Sequence, residues 1–108
     1  MVEHYEVELA DSTWDDVYRI FSYLRKNVSE ATAQKVRTTL IAEARKLEKM
    51  PTGYPIQHNI SSEKRTFRFI KKWKYKIIYY VDEKAKIVRV VAVRHSSQHP
   101  DKLKDLTT

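Results

Sequence analysis

The chain has 108 residues, a formal net charge of +7, one glycine, three prolines and no cysteine. That length suits one modest core, so a single domain over residues 1–108 is expected. Without cysteine there is no disulfide framework or thiolate metal site, and one glycine rules out a glycine-rich phosphate loop.

The N-terminal stretch is acidic and alternating. Tyr5, Val7 and Leu9 face one way and His4, Glu6 and Glu8 the other, the period of a half-buried strand over residues 4–9. No basic, apolar leader occurs there, and no run along the chain approaches the roughly 20 apolar residues of a membrane span. The expected compartment is therefore the cytoplasm, with no membrane partner. Ser12 and Asp15 resemble a capping box, and Val17, Ile20, Phe21 and Leu24 recur at helical spacing, which predicts a helix over residues 13–26. Ser29 is placed to cap a second helix whose stripe is Ala33, Val36, Leu40, Ala44 and Leu47 and which stops before Pro51. So short a break between the two implies an antiparallel hairpin.

Beyond Pro55 the period becomes two. Residues 65–71, 74–81 and 86–94 read as strands rich in β-branched and aromatic side chains, with a tight turn at Asp82 to Lys84. The expected fold is α+β: an N-terminal strand, then a two-helix hairpin on one face of a mainly antiparallel four-stranded sheet, in the order β-α-α-β-β-β. Regular alternation puts Tyr75, Ile77, Tyr79 and Val81 on the core face with Val88, Val90 and Ala92. It puts Lys76, Ile78 and Tyr80 on the opposite face with Arg89, Val91, Val93 and His95, joined by Arg68 or its neighbours. Residues 1–63 carry a net charge of −2 and residues 64–108 a net of +9, so this sheet face is expected to meet a polyanion or an acidic protein segment.

The order β-α-α-β-β-β, the string Lys74 to Val81 (KYKIIYYV) and a last strand running into Val93 to Leu103 (VRHSSQHPDKL) resemble the RelE/ParE superfamily of toxins from type II toxin-antitoxin, or plasmid stabilisation, modules. The resemblance implies a growth-inhibiting toxin neutralised by a cognate antitoxin with an acidic amphipathic segment. It implies one of two targets: the ribosome, where messenger RNA is cut without a metal, or DNA gyrase, inhibited without catalysis. A non-catalytic or degenerate RNA- or protein-binding module of the same fold is the alternative. Lys76 stands where the family commonly has Arg in Tyr-Arg-aliphatic-aliphatic-Tyr, which keeps charge and loses the bidentate fork. Ser97 stands where an Arg is common after the last strand, and Gln98, His99 and Pro100 complete that stretch.

Metal-free RNA cleavage needs a proton-transfer group and cations around the phosphorane. His95 is the candidate acid or base, because imidazole titrates near neutrality, and Lys76 its companion. Arg68, Arg89, Arg94, Lys71, Lys72 and Tyr80 are the candidate nucleic-acid contacts. Lys71, Lys72 and Lys74 read equally as a charge run protecting a sheet edge. Trp73 and Tyr80 read either as base-stacking or as packing residues, and Trp14 as packing. Arg94 and His95 fall on opposite faces of a regular strand, so only one of them can join Lys76 unless a bulge intervenes. His95 is expected there. No cofactor or metal is expected.

Overall fold

The computed structural model describes residues 4–96 and Leu106, so Ser97, Gln98, His99 and Pro100 lie outside the described residues. In chain order the elements are β1 (Glu6–Leu9), α1 (Asp11–Asn27), α2 (Glu30–Arg45), β2 (Phe67–Lys72), β3 (Tyr75–Asp82) and β4 (Ile87–His95). The order β-α-α-β-β-β is the one expected. The sheet order is β1-β4-β3-β2, with β1 parallel to β4 and the other pairs antiparallel. Three short 3-10 turns, at Lys46–Glu48, Pro51–Gly53 and His58–Ile60, occupy the connection between α2 and β2.

The helical hairpin forms for local reasons. The Ser29 side chain accepts the Thr32 N–H at 3.0 Å and caps α2. Val28 and Ser29 both donate backbone N–H groups to the Leu24 carbonyl, which closes α1. The expected cap on α1 is corrected: Ala10 is the N-cap, and Ser12 lies inside the first turn with its Oγ donating to the Val91 carbonyl at 2.7 Å. Ser12 thus spends its hydroxyl on the sheet rather than on its own helix.

Val17 of α1, Leu40 and Ala44 of α2 and the following Leu47 pack on one sheet face against Ile70, Ile77, Tyr79, Val88, Val90 and Val93. Tyr79 is fully buried, and its hydroxyl donates to the Pro51 carbonyl. That bond satisfies the one polar atom its burial would otherwise strand. The opposite face is not simply open. Ile60, Phe67, Ile78 and Ala92 form a second apolar cluster there, with Phe69, Tyr80, Val91 and Leu106 packed against it.

The expected faces of β4 need correction. Ile78 pairs with Ala92 but Tyr79 pairs with Val90, which leaves Val91 as an extra residue on β4. Past this bulge the alternation is inverted. Val93 joins Ile77 on the helix-covered face, Ala92 joins Ile78 on the other, Arg94 lies opposite Lys76, and His95 lies opposite Tyr75. Lys76 and His95 therefore stand on opposite faces of the sheet, not together as regular alternation requires.

Candidate functional site

β1 pairs with β4 only as far as Leu9 and Val90, and beyond that point the first turns of α1 take over the exposed strand edge. Ala10 N–H and Thr13 Oγ1 donate to the Val90 carbonyl at 2.9 and 2.7 Å, and Ser12 Oγ takes the carbonyl of the bulged Val91. Asp16 is 6% exposed, and its Oδ2 accepts the Val93 N–H at 3.0 Å and Arg94 Nε at 3.3 Å. Arg19 lies 3.6 Å from its other oxygen. A carboxylate so buried is tolerable because each of its oxygens faces a cation and one also takes a backbone donor. Thr13, Asp16, Val17, Ile20 and Leu24 share one α1 stripe at spacings of three and four, so an acid on an otherwise core-facing stripe was the signal for this contact.

The same corner holds a cleft of about 570 Å³ bordered by Tyr23, Lys74, Tyr75, Arg94 and His95. The His95 ring meets Tyr75 edge-on at 6.0 Å. Burial, and then the neighbouring Tyr23, raise the Tyr75 phenol above its ordinary pKa, which keeps it a hydrogen-bond donor. Of the expected catalytic pair, His95 borders this cleft and Lys76 does not. Lys76 Nζ sits 4.4 Å over the Phe69 ring and 3.5 Å from Gln57 Oε1, on the other side of the sheet.

The expected nucleic-acid contacts are also dispersed. Arg89 pairs with Glu8 at 3.0 Å, Arg94 with Asp16, and Lys72 approaches Glu43 at 4.0 Å while covering Trp73 at 5.1 Å. Lys71 is exposed on β2. Arg68 lies beside Tyr79 on the helix-covered side and donates to the Tyr54 carbonyl at 2.7 Å. Tyr80 carries the Arg65 guanidinium 4.0 Å above its ring. Sequence reasoning passed over Arg65 because nothing in its neighbours marks it; only the fold brings it onto Tyr80. Trp14 is 43% exposed and helps form an apolar groove along the helical hairpin with Val17, Tyr18, Phe21, Arg37 and Ile41. Its expected packing role is thus partial.

A family model described as "ParE toxin of type II toxin-antitoxin system, parDE" matches residues 7–100. The chain belongs to the ParE toxin family. It is a toxin of the type II toxin-antitoxin class, and the match covers the described β4 corner and every element of the fold except the first residue of β1. No curated protein matches it significantly. Among solved structures, the ParE-family chain is similar to the chromosomal ParDE toxin-antitoxin system from P. aeruginosa, with a TM-score of 0.69, 10% identity and coverage of 85% of this chain and 96% of that one. It is also similar to the toxin-antitoxin complex RelBE2 from Mycobacterium tuberculosis, with a TM-score of 0.60, 14% identity and coverage of 86% and 92%. The archaeal RelE-RelB complex from Pyrococcus horikoshii OT3 matches at a TM-score of 0.56 and 12% identity, with coverage of 89% and 99%. At these identities the similarities establish the shared fold of the ParE-family chain.

Proposed function

We propose that this ParE-family toxin arrests growth by binding and inhibiting DNA gyrase rather than by cutting messenger RNA, and that a cognate antitoxin neutralises it in the cytoplasm. The observation that carries this reading is the bulge at Val91, which puts His95 and Lys76 on opposite faces of the sheet. A proton-transfer group and a phosphate-holding cation must reach one scissile bond together, and these two are separated by the sheet itself. Arg94, which the bulge does place opposite Lys76, is held through its Nε by the buried Asp16. Gyrase inhibition requires surface complementarity and no acid-base set, and it is the activity that the resemblance to ParE-like members implies.

An antitoxin segment finds suitable chemistry on two sides of the molecule. The groove of about 440 Å³ bordered by Trp14, Tyr18, Phe21 and Ile41 suits the apolar stripe of an amphipathic helix, and Arg37 at its edge suits an acidic residue. The surplus of cations in residues 64–108 supplies the longer-range attraction for an acidic chain.

Two assays on the purified toxin test the mechanism. In a gyrase supercoiling reaction the wild type and His95→Ala should inhibit alike. In a bacterial cell-free translation reaction, primer extension should show intact messenger. New messenger ends within A-site codons, lost in His95→Ala, would overturn the proposal in favour of a ribosome-dependent nuclease built around the Tyr75–His95 cleft.

A further inference from the structure

β3 runs past the start of β2. Phe67 and Tyr80 are the last pair between those strands, whereas Val81 and Asp82 continue only against β4. The missing strand leaves a cleft of about 480 Å³ between residues 63–66 and the β3–β4 turn, and Arg68 and Tyr80 form part of its wall.

We propose that this cleft binds one nucleotide unit of a single-stranded nucleic acid. Arg68 is half-buried, and its hydrogen bond is to the neutral Tyr54 carbonyl. Among the described residues it forms no salt bridge with a carboxylate. A partly desolvated guanidinium with donors left over is a seat for an anion, and its planar fork fits phosphate oxygens. Arg65 lies 4.0 Å over the Tyr80 ring and is itself exposed, so the outer plane of its guanidinium is a platform on which a base can stack.

Charge sets the size of the ligand. Lys64 and Lys84 add two cations to the two arginines, while Glu63, Asp82 and Glu83 supply three carboxylates, leaving one net positive charge. Two of those carboxylates are already engaged: Asp82 accepts the Ala85 N–H at 3.1 Å, and Glu83 takes the Tyr5 hydroxyl at 3.1 Å and Lys86 at 3.3 Å. One net charge matches a single phosphodiester. It does not match the row of phosphates along a duplex groove, where several cations act together.

The site is separate from the His95 corner and is independent of the gyrase reading, and it is tested without gyrase or ribosome. Fluorescence anisotropy of a labelled oligothymidylate single strand, and of a hairpin duplex of the same length, is measured at several salt concentrations. The single strand should bind more tightly than the duplex. Arg65→Ala should weaken it by about fivefold or more through loss of the stack. Arg65→Lys should lose the same affinity with its salt dependence kept. Arg68→Gln should lower the slope of log K against log salt by about 0.7, the loss of one phosphate contact on a single strand. Arg65 is exposed, so its variants test the idea even if Arg68→Gln fails to fold. Absence of single-strand binding by the wild type, or equal binding by the wild type and Arg65→Ala, would overturn the proposal. So would binding of a polyglutamate peptide that is lost in the same variants while the oligonucleotide fails to compete, since that would make the cleft an acidic-peptide site.

Discussion

Tyr79 shows how much a single atom can hold in place. Its ring fills the core beneath the helices while its hydroxyl fixes Pro51, at the start of a 3-10 turn in the connection from α2 to β2. Tyr79→Phe keeps the volume and strands the carbonyl, so a loss of about 1–2 kcal/mol is expected by urea unfolding. The same residue makes stability pH-dependent. Burial raises the phenols of Tyr79 and Tyr75 above the ordinary value of 10.0, Tyr79 the more strongly. The folded state thus keeps protons that the unfolded chain releases. Their contribution is fully present below about pH 10 and is lost as the pH rises above it, by up to about 1.4 kcal/mol per unit for each phenol. Urea midpoints measured from about pH 8 to 11 should fall more steeply for the wild type than for Tyr79→Phe; parallel curves would refute this assignment. Asp16 has the opposite character, a buried charge held by partners. Asp16→Ala leaves the Val93 N–H and Arg94 without their acceptor and should cost about 3 kcal/mol.

Among the elements, β4 governs the arrangement of the site. Its first half is paired on both sides by strands, and its second half is held by the side chains of α1. The bulge at Val91 sits at the change-over, where Ser12 holds its carbonyl. Deleting Val91 would remove the extra residue while keeping Ala92 opposite Ile78 and Val93 opposite Ile77, so both faces of β4 are preserved, and what is lost is the acceptor of Ser12 and the contact of Val91 with the second apolar cluster. Thermal unfolding should keep a single cooperative transition at a lower midpoint, through the lost hydrogen bond and the re-seating of β4 against α1. A variant that folds with its stability intact would mean that the bulge is incidental. The helices depend on more ordinary devices: Ser29→Ala should destabilise by about 1 kcal/mol through the lost cap.

Over the molecule as a whole, the cations among the described residues 64–96 do not form one basic face. They are divided among the cleft beside Arg65 and Arg68, the margin of the second apolar cluster at Lys76, and the corner at Lys74 and Arg94. Several surfaces around a rigid sheet suit a toxin that must meet both a target and a neutralising partner. If the antitoxin occupies the groove on the helical hairpin, Trp14→Ala and Tyr18→Ala should each weaken complex formation by about tenfold in calorimetry. The exposure of these residues, 43% and 65%, leaves folding intact. Affinity unchanged in both variants would remove the groove from the antitoxin interface.

The elements, their order, the helical hairpin and the family are legible along the chain, because periodicity, the Ser29 cap and the β-branched strands are local signals spread over many residues. The chain also poses the right question at the end of β4, whether Arg94 or His95 stands with Lys76. The answer lies in long-range contacts. A bulge leaves no mark in composition; it forms because the Val90 and Val91 carbonyls are taken by Thr13 and Ser12, some 77 and 79 residues earlier in the chain. For the same reason neither the seat of Arg65 on Tyr80 nor the division of the basic surface is legible along the chain. Which cations are neutralised by Glu8, Glu43 or Asp16, and which are left to hold a ligand, is settled by long-range packing and not by spacing along the chain.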